Sequence, residues 1–224
     1  MIRPDIVARR IGAEQTPVVT VDGFHPDPVG LRVAALAADF GPARNHYPGV
    51  RAELPRDYFA RVRPVLDGVL RQVFGSAGKV GLIDASFSIV TTPPGELSVA
   101  QRLPHVDAVE AGRIALVHYL SLEEADGTAF YRHRASGHEQ VDAARGDDYR
   151  ARLGEELQRT PPPAGYIADS GALFERTALV AGRFNRAVIY PSALLHSGAI
   201  AGDALLNPDP ACGRLTVTAF LTVA

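Results

Sequence analysis

Cysteine is almost missing from this 224-residue chain: Cys212 stands alone and cannot close an internal disulfide, which excludes a secreted disulfide scaffold. An excess of one charge is missing too. Basic side chains number 23 and acidic ones 25, a net charge of −2, whereas nucleic acid and anionic membranes select a basic surplus. Neither is expected as a partner. Lysine is reduced to Lys79, the other cations being arginine, and with the abundant Ala, Gly and Pro this reads as coding bias. No run approaches the roughly 18 apolar residues of a membrane span, and the opening MIRPDIVARR lacks the apolar stretch of a signal peptide. No internal repeat and no low-complexity tract is visible. What remains is ordinary globular composition, 46% hydrophobic and 21% charged, enough to bury a core unaided. The expectation is one cytoplasmic domain over residues 1–224.

Two amphipathic helices are predicted in the first third. One follows Asp27-Pro28, a good cap and a residue suited to the first turn, with Leu31, Ala34, Ala35 and Ala38 at helical spacing. It stops at Phe40-Gly41-Pro42. The second runs from about Arg56 to Phe74, with Phe59, Val62, Leu66, Val69, Leu70 and Val73 on one side and Pro64 predicting a bend or break. Between them, residues 45–49 (Asn-His-Tyr-Pro-Gly) read as an exposed turn.

From residue 80 the period changes. Segments 82–91, 113–121, 127–132, 186–190 and 213–223 are short, β-branched or aromatic, and bounded by turn residues. A polar insertion at about 133–170 holds one predicted helix, 147–159, and a stop at Pro161-Pro162-Pro163. Helices first and strands later predict α+β architecture, mainly β: residues 1–79 as helical support and 80–224 as the β core.

Two His-x-Asp triplets occur. In His25-Pro26-Asp27 the aspartate is explained as a helix cap. His105-Val106-Asp107 instead ends an extended segment, where residues two apart share a face about 6.5–7 Å apart. An imidazole and a carboxylate so placed can meet one cation. His196, in the apolar Ile189-to-Gly198 stretch, is the candidate third ligand. A core histidine bonded to backbone is the alternative for it. Two histidines and one carboxylate on one triangular face, with open positions opposite, is the ligand set of non-haem Fe(II) oxygenases.

The order of these motifs resembles the Fe(II)/2-oxoglutarate-dependent dioxygenase superfamily, in its prolyl-hydroxylase-like branch, nearest to a group of bacterial proteins assigned there by sequence. The residues that carry the resemblance are Pro104-His105-Val106-Asp107, the strand Arg113-to-Leu120, the turn Asp126-to-Phe130, the segment Arg186-to-Pro191, His196-Ser197-Gly198 and Gly213-Arg214-Leu215-Thr216. The resemblance covers about residues 82–223. The resemblance implies a double-stranded β-helix (a jelly roll, cupin-like) with His105, Asp107 and His196 holding Fe(II). It implies that Arg214 grips the distal carboxylate of 2-oxoglutarate, through the paired hydrogen bonds a guanidinium offers a carboxylate. Alternation puts Thr216 and Thr218 on the face of Arg214, so Thr216 is a further candidate donor. Tyr119 or Tyr131 could reach the co-substrate, Tyr119 sharing a strand face with Arg113 and Val117. Gln101 and Arg102 could border the pocket, and Asn45, His46 and Tyr47 could lie over its mouth. His118 is expected to be structural, His133 and His138 solvated, and Cys212 a small buried filler.

The implied reaction is oxidative decarboxylation of 2-oxoglutarate to succinate and CO2, coupled to hydroxylation of a small-molecule or peptide substrate by O2. Two alternatives stay open. One is a cupin-type metal oxygenase that uses no keto acid; the other is a metal- or ligand-binding barrel without turnover. The sequence does not choose the substrate or the oligomeric state.

Overall fold

The computed structural model describes residues 3–43, 47–122, 127–202, 204 and 206–224. Among them are eleven strands: β1 (Asp5–Ile11), β2 (Thr16–Asp22), β3 (Gly41–Pro42), β4 (Gly49–Ala52), β5 (Val80–Val90), β6 (Arg113–Tyr119), β7 (Gly127–His133), β8 (Phe174–Ala181), β9 (Arg186–Pro191), β10 (His196–Gly198) and β11 (Leu215–Val223). Three α-helices accompany them: α1 (Pro28–Leu36), α2 (Tyr58–Phe74) and α3 (Gly146–Leu157). An eight-stranded sheet has the order β1-β2-β9-β6-β11-β5-β4-β3, and a three-stranded sheet the order β10-β7-β8. Every pairing is antiparallel. The two sheets form the double-stranded β-helix that the family resemblance implied.

Alternation along the central strands gives the large sheet two apolar faces. Ile114 and Leu116 of β6, Val217, Ala219 and Leu221 of β11 and Ile189 of β9 pack with Leu31 and Ala35 of α1 and Val62, Leu66, Val69 and Leu70 of α2. The opposite face, with Ala115, Tyr119, Val188 and Tyr190, looks toward Phe130 of the small sheet. A third cluster, including Tyr131, Tyr149, Ile167, Phe174 and Leu195, joins the insertion to the small sheet.

The first 79 residues are not helical support alone. They add β1 to β4, half of the large sheet. The strand β1 lies at the sheet edge and is exposed for nearly its whole length, so no buried face marks it in the sequence. The strand β8 was likewise unforeseen. The cap at Asp27 stands as expected, its carboxylate accepting from Gly30 N at 2.9 Å. The helix α2 runs unbroken through Pro64: Ala60, whose carbonyl the proline leaves without a partner, and Pro64 itself both face water.

The insertion is clasped to the β1–β2 turn. Glu139, 2% exposed, accepts from the amides of Ala13 and Glu14 at 2.9 Å each, and Glu14 in turn accepts from the Gln140 amide and from Arg145. Gly12 permits this approach, since a Cβ there would stand 2.1 Å from the Glu139 carboxylate. His133 is buried, not solvated: Glu156 and Ser136 hold its two ring nitrogens at 2.7 and 2.9 Å. Cys212 is exposed instead of buried. Among the described residues no helix is long and apolar enough to cross a membrane.

Candidate metal centre

Pro104 holds the preceding Leu103 in extended backbone, with φ −114° and ψ 152°, so the chain runs straight into His105. There it meets the β9–β10 connection. His105 N donates to His196 O at 2.9 Å and His196 N to His105 O at 3.0 Å, while Asp107 N donates to Ser192 O at 2.9 Å. The His105 segment thus lies along the free edge of β10. Leu195, beside His196, packs into the core of the small sheet, while both imidazoles line the cavity.

One donor atom each from His105, Asp107 and His196 lies within 4.8 Å of the others. His196 Nε2 is 3.4 Å from Asp107 Oδ2, and His105 Nε2 is 3.8 Å from Asp107 Oδ1. The Nδ1 of His196 donates to the Leu194 carbonyl at 2.8 Å. A carbonyl only accepts, so in the neutral ring the proton sits on Nδ1 and the Nε2 lone pair faces the carboxylate. Burial deepens from one ligand to the next: the side chain of His105 is 54% exposed, that of Asp107 15% and that of His196 7%.

Desolvation sets the charge states. It pulls His105 down to about 4, helped by His196, and pulls His196 down to about 4. Desolvation also lifts Asp107 to about 6, opposed by the charges of His105 and Arg51. At neutral pH both rings are uncharged and the carboxylate is ionised, the states that bind a divalent cation. Two neutral imidazoles and one carboxylate gathered without internal pairing fit a ferrous ion.

The three ligands line a cavity of about 570 Å³, within the usual range for small-molecule sites. Much of its wall is apolar, including Val90, Leu103, Val117, Ile167 and Ile200. Arg214 lines it as well. Its Nη2 donates to Gly127 O at 2.9 Å, and its guanidinium stands 5.8 Å from the Tyr119 ring. A Cβ on Gly198 would come within 3.8 Å of that same Nη2, which places Arg214 two strand positions beyond His196. Gly127 is itself required, because a Cβ there would meet Val180 O at 2.1 Å.

The remaining sequence candidates divide. Gln101 borders the cavity; Arg102 turns back to the Leu97 carbonyl. The Tyr119 hydroxyl bonds Thr128 at 2.6 Å, its ring beside Arg214, and the fully buried Thr216 donates to Ser88 O at 3.2 Å; neither is a lining residue of the cavity. Tyr131 bonds the Ile167 carbonyl outside the cavity. His118 is structural as expected, fully buried between the Tyr58 hydroxyl at 3.2 Å and Asn185 at 3.0 Å. Asn45 and His46 lie outside the described residues. Tyr47 does reach the cavity, with its hydroxyl buried, which corrects the exposed turn predicted there. Arg51, Tyr166 and Phe220 are lining residues that the sequence reading passed over, whereas Thr218, which alternation placed on the face of Arg214, lines the cavity as well.

A double-stranded β-helix holding a His-Asp-His cluster is the class that fold and site define. Residues 2–221 match the family model of DUF6445, a family of unknown function, and the chain belongs to that family. A comparison with curated proteins finds no match. Among solved structures, HygX from Streptomyces hygroscopicus, crystallised with nickel, 2-oxoglutarate and hygromycin B, is similar at a TM-score of 0.53 and 14% identity, over 94% of this chain and 84% of that one. SnoN, described as a non-heme alpha ketoglutarate dependent epimerase from nogalamycin biosynthesis, is similar at 0.50 and 14%, over 94% and 80%. These likenesses are of fold.

Proposed function

We propose that the protein is an Fe(II)- and 2-oxoglutarate-dependent oxygenase, with His105, Asp107 and His196 as metal ligands and Arg214 as the anchor of the co-substrate's distal carboxylate. One observation carries the reading: the three donors converge in a cavity that also holds a guanidinium beside Gly198. Residues two apart on a strand are about 6.5–7 Å apart, a span suited to a five-carbon dicarboxylate that touches metal at one end and arginine at the other. That HygX is described with 2-oxoglutarate and nickel, and SnoN as alpha ketoglutarate dependent, supports this by analogy of fold. The prolyl-hydroxylase-like branch rests on sequence resemblance alone, and neither neighbour is described in those terms.

Bound ferrous iron would supply the oxygen chemistry, decarboxylating 2-oxoglutarate to succinate and CO2 and oxidising a small-molecule or peptide substrate, with hydroxylation as the expected outcome. The protein's own residues do the rest. Leu194 fixes the His196 ring with its lone pair forward. Gly127 and the Tyr119 ring hold Arg214 in place, so Tyr119 acts as a positioning residue, while the Thr216 hydroxyl stays on the Ser88 carbonyl. The apolar wall limits water around the metal.

Succinate formation from 2-oxoglutarate in air, with and without added Fe(II), tests the reading. Fe(II)-dependent succinate that disappears in Asp107→Ala is expected. Succinate formation indifferent to Fe(II), or none with Fe(II) present, would contradict it.

A further inference from the structure

The cavity holds a second cationic group that the proposed chemistry leaves unused. Arg51 projects into it from β4, 19% exposed, with its guanidinium 4.7 Å from the Tyr47 ring centre. Among the described residues its one hydrogen bond is a long contact, 3.4 Å from Nη1 to Asp84, whose side chain is itself 55% exposed. Its Nε is buried with no partner. The guanidinium is therefore under-paired where it lines the cavity, and a carboxylate is the group that would complete it.

Arg51 pairs with Ser88, which pairs with Thr216, two positions from Arg214, but its Nη1 reaches along β5 to Asp84, the partner of Phe220. The contact with Asp84 draws the Arg51 guanidinium toward the Phe220 end, away from the co-substrate position. Arg113 lines the same end and has no ion pair among the described residues.

Charge points the same way. The described lining residues include three arginines, Arg51, Arg113 and Arg214, against two aspartates, Asp84 and Asp107. A divalent metal and doubly charged 2-oxoglutarate cancel one another, so the loaded cavity keeps one positive charge in excess. A low-dielectric site in that state favours a monoanion. Ile83, Val106 and Phe220 give the same region an apolar lining.

We propose that Arg51 is a specificity residue that selects an acidic substrate: an apolar body carrying one carboxylate, held by the guanidinium. The inference rests on the function proposed above and adds the substrate class.

The probes are hexanoate, octanoate and decanoate with their primary amides, titrated by calorimetry into protein loaded with Ni(II) and saturating 2-oxoglutarate. At least one acid is expected to bind about tenfold tighter than its amide or more, the usual gain from a charge-assisted pair. In Arg51→Met the acid should fall to the affinity of the amide, with the amide unchanged. Arg51→Lys should keep part of the difference. 2-Oxoglutarate, titrated first, should bind Arg51→Met within about threefold of the parent, a change under 1 kcal/mol. Equal binding of acids and amides, no binding of either, a preference that survives Arg51→Met, or loss of 2-oxoglutarate binding in that variant would each overturn the proposal. Arg51→Gln gives the same reading if the methionine variant does not fold. Should the parent protein not bind 2-oxoglutarate at all, the function proposed above fails, and the acid–amide comparison on protein without it still judges Arg51 separately.

Discussion

The rings of His105 and His196 stand 4.4 Å apart, and their backbones exchange two hydrogen bonds of 2.9 and 3.0 Å. Two candidate ligands distant in sequence are thus fixed by a single β-bridge. Asp107 is tied separately, through its amide, to the turn that leads into His196. The geometry of the cluster is a backbone property, so side-chain substitutions can remove a ligand without unmaking the site.

Asp107→Ala is accordingly expected to lose metal and keep its fold. Removing an outer-shell partner already costs about 10–100-fold in metal affinity, and loss of a direct ligand should reach or pass the upper figure. Because burial raises the Asp107 carboxyl to about 6, the metal-free variant should melt no lower than the metal-free parent. Calorimetric titration with Ni(II) and a thermal melt measure the two halves.

Arg214→Met should separate the two ligands differently. Loss of a bidentate charge-assisted contact costs roughly 1.5–3 kcal/mol per hydrogen bond, so 2-oxoglutarate affinity should fall by about a hundredfold while Ni(II) affinity stays within a few-fold. Equal co-substrate binding in this variant would remove Arg214 from the site.

The metal-free protein should weaken in acid through His118. Burial depresses this ring to about 3, against roughly 6.5 in the unfolded chain. The unfolded state therefore takes up the proton first as pH falls. Stability from this group is complete above about pH 6.5 and is lost progressively down to about pH 3, by up to about 1.4 kcal/mol per pH unit. His25, stacked beside it and also lowered by burial, adds in the same direction. Urea melts at stepped pH should show a shallower acid slope in His118→Gln than in the parent.

Glu139→Ala should destabilise the fold by about 1–3 kcal/mol, because the Ala13 and Glu14 amides lose their acceptor in a partly buried place. The loss should appear as earlier unfolding and as greater protease sensitivity in the 133–170 segment. Unchanged midpoints would show that the clasp is not a stabilising contact.

Much of the late half was readable from residues because its strands bury one face at a time. In β11, with its alternating Thr and apolar residues, the pattern reached the correct face for Thr218 as well as for Arg214. The His-Asp-His cluster was readable because His-x-Asp in extended backbone and a lone histidine among apolar residues both need an explanation. What escaped had no local signal. The strand β1 is a solvated edge and buries nothing periodic. His133 is buried by Glu156, a partner on a helix that no pattern near residue 133 announces. Arg51 sits on a four-residue strand, and only its register with Ser88 on β5 brings it to the cavity. Long-range pairing decides these cases, and a single sequence does not encode it visibly.

The most direct test is the dependence of 2-oxoglutarate binding on metal. Calorimetric titration of 2-oxoglutarate should give tight binding to Ni(II)-loaded protein and much weaker binding to metal-free protein or to Asp107→Ala with Ni(II) present. Equal affinity in all three samples would mean that the co-substrate does not meet a metal held by His105, Asp107 and His196, and the account would fall.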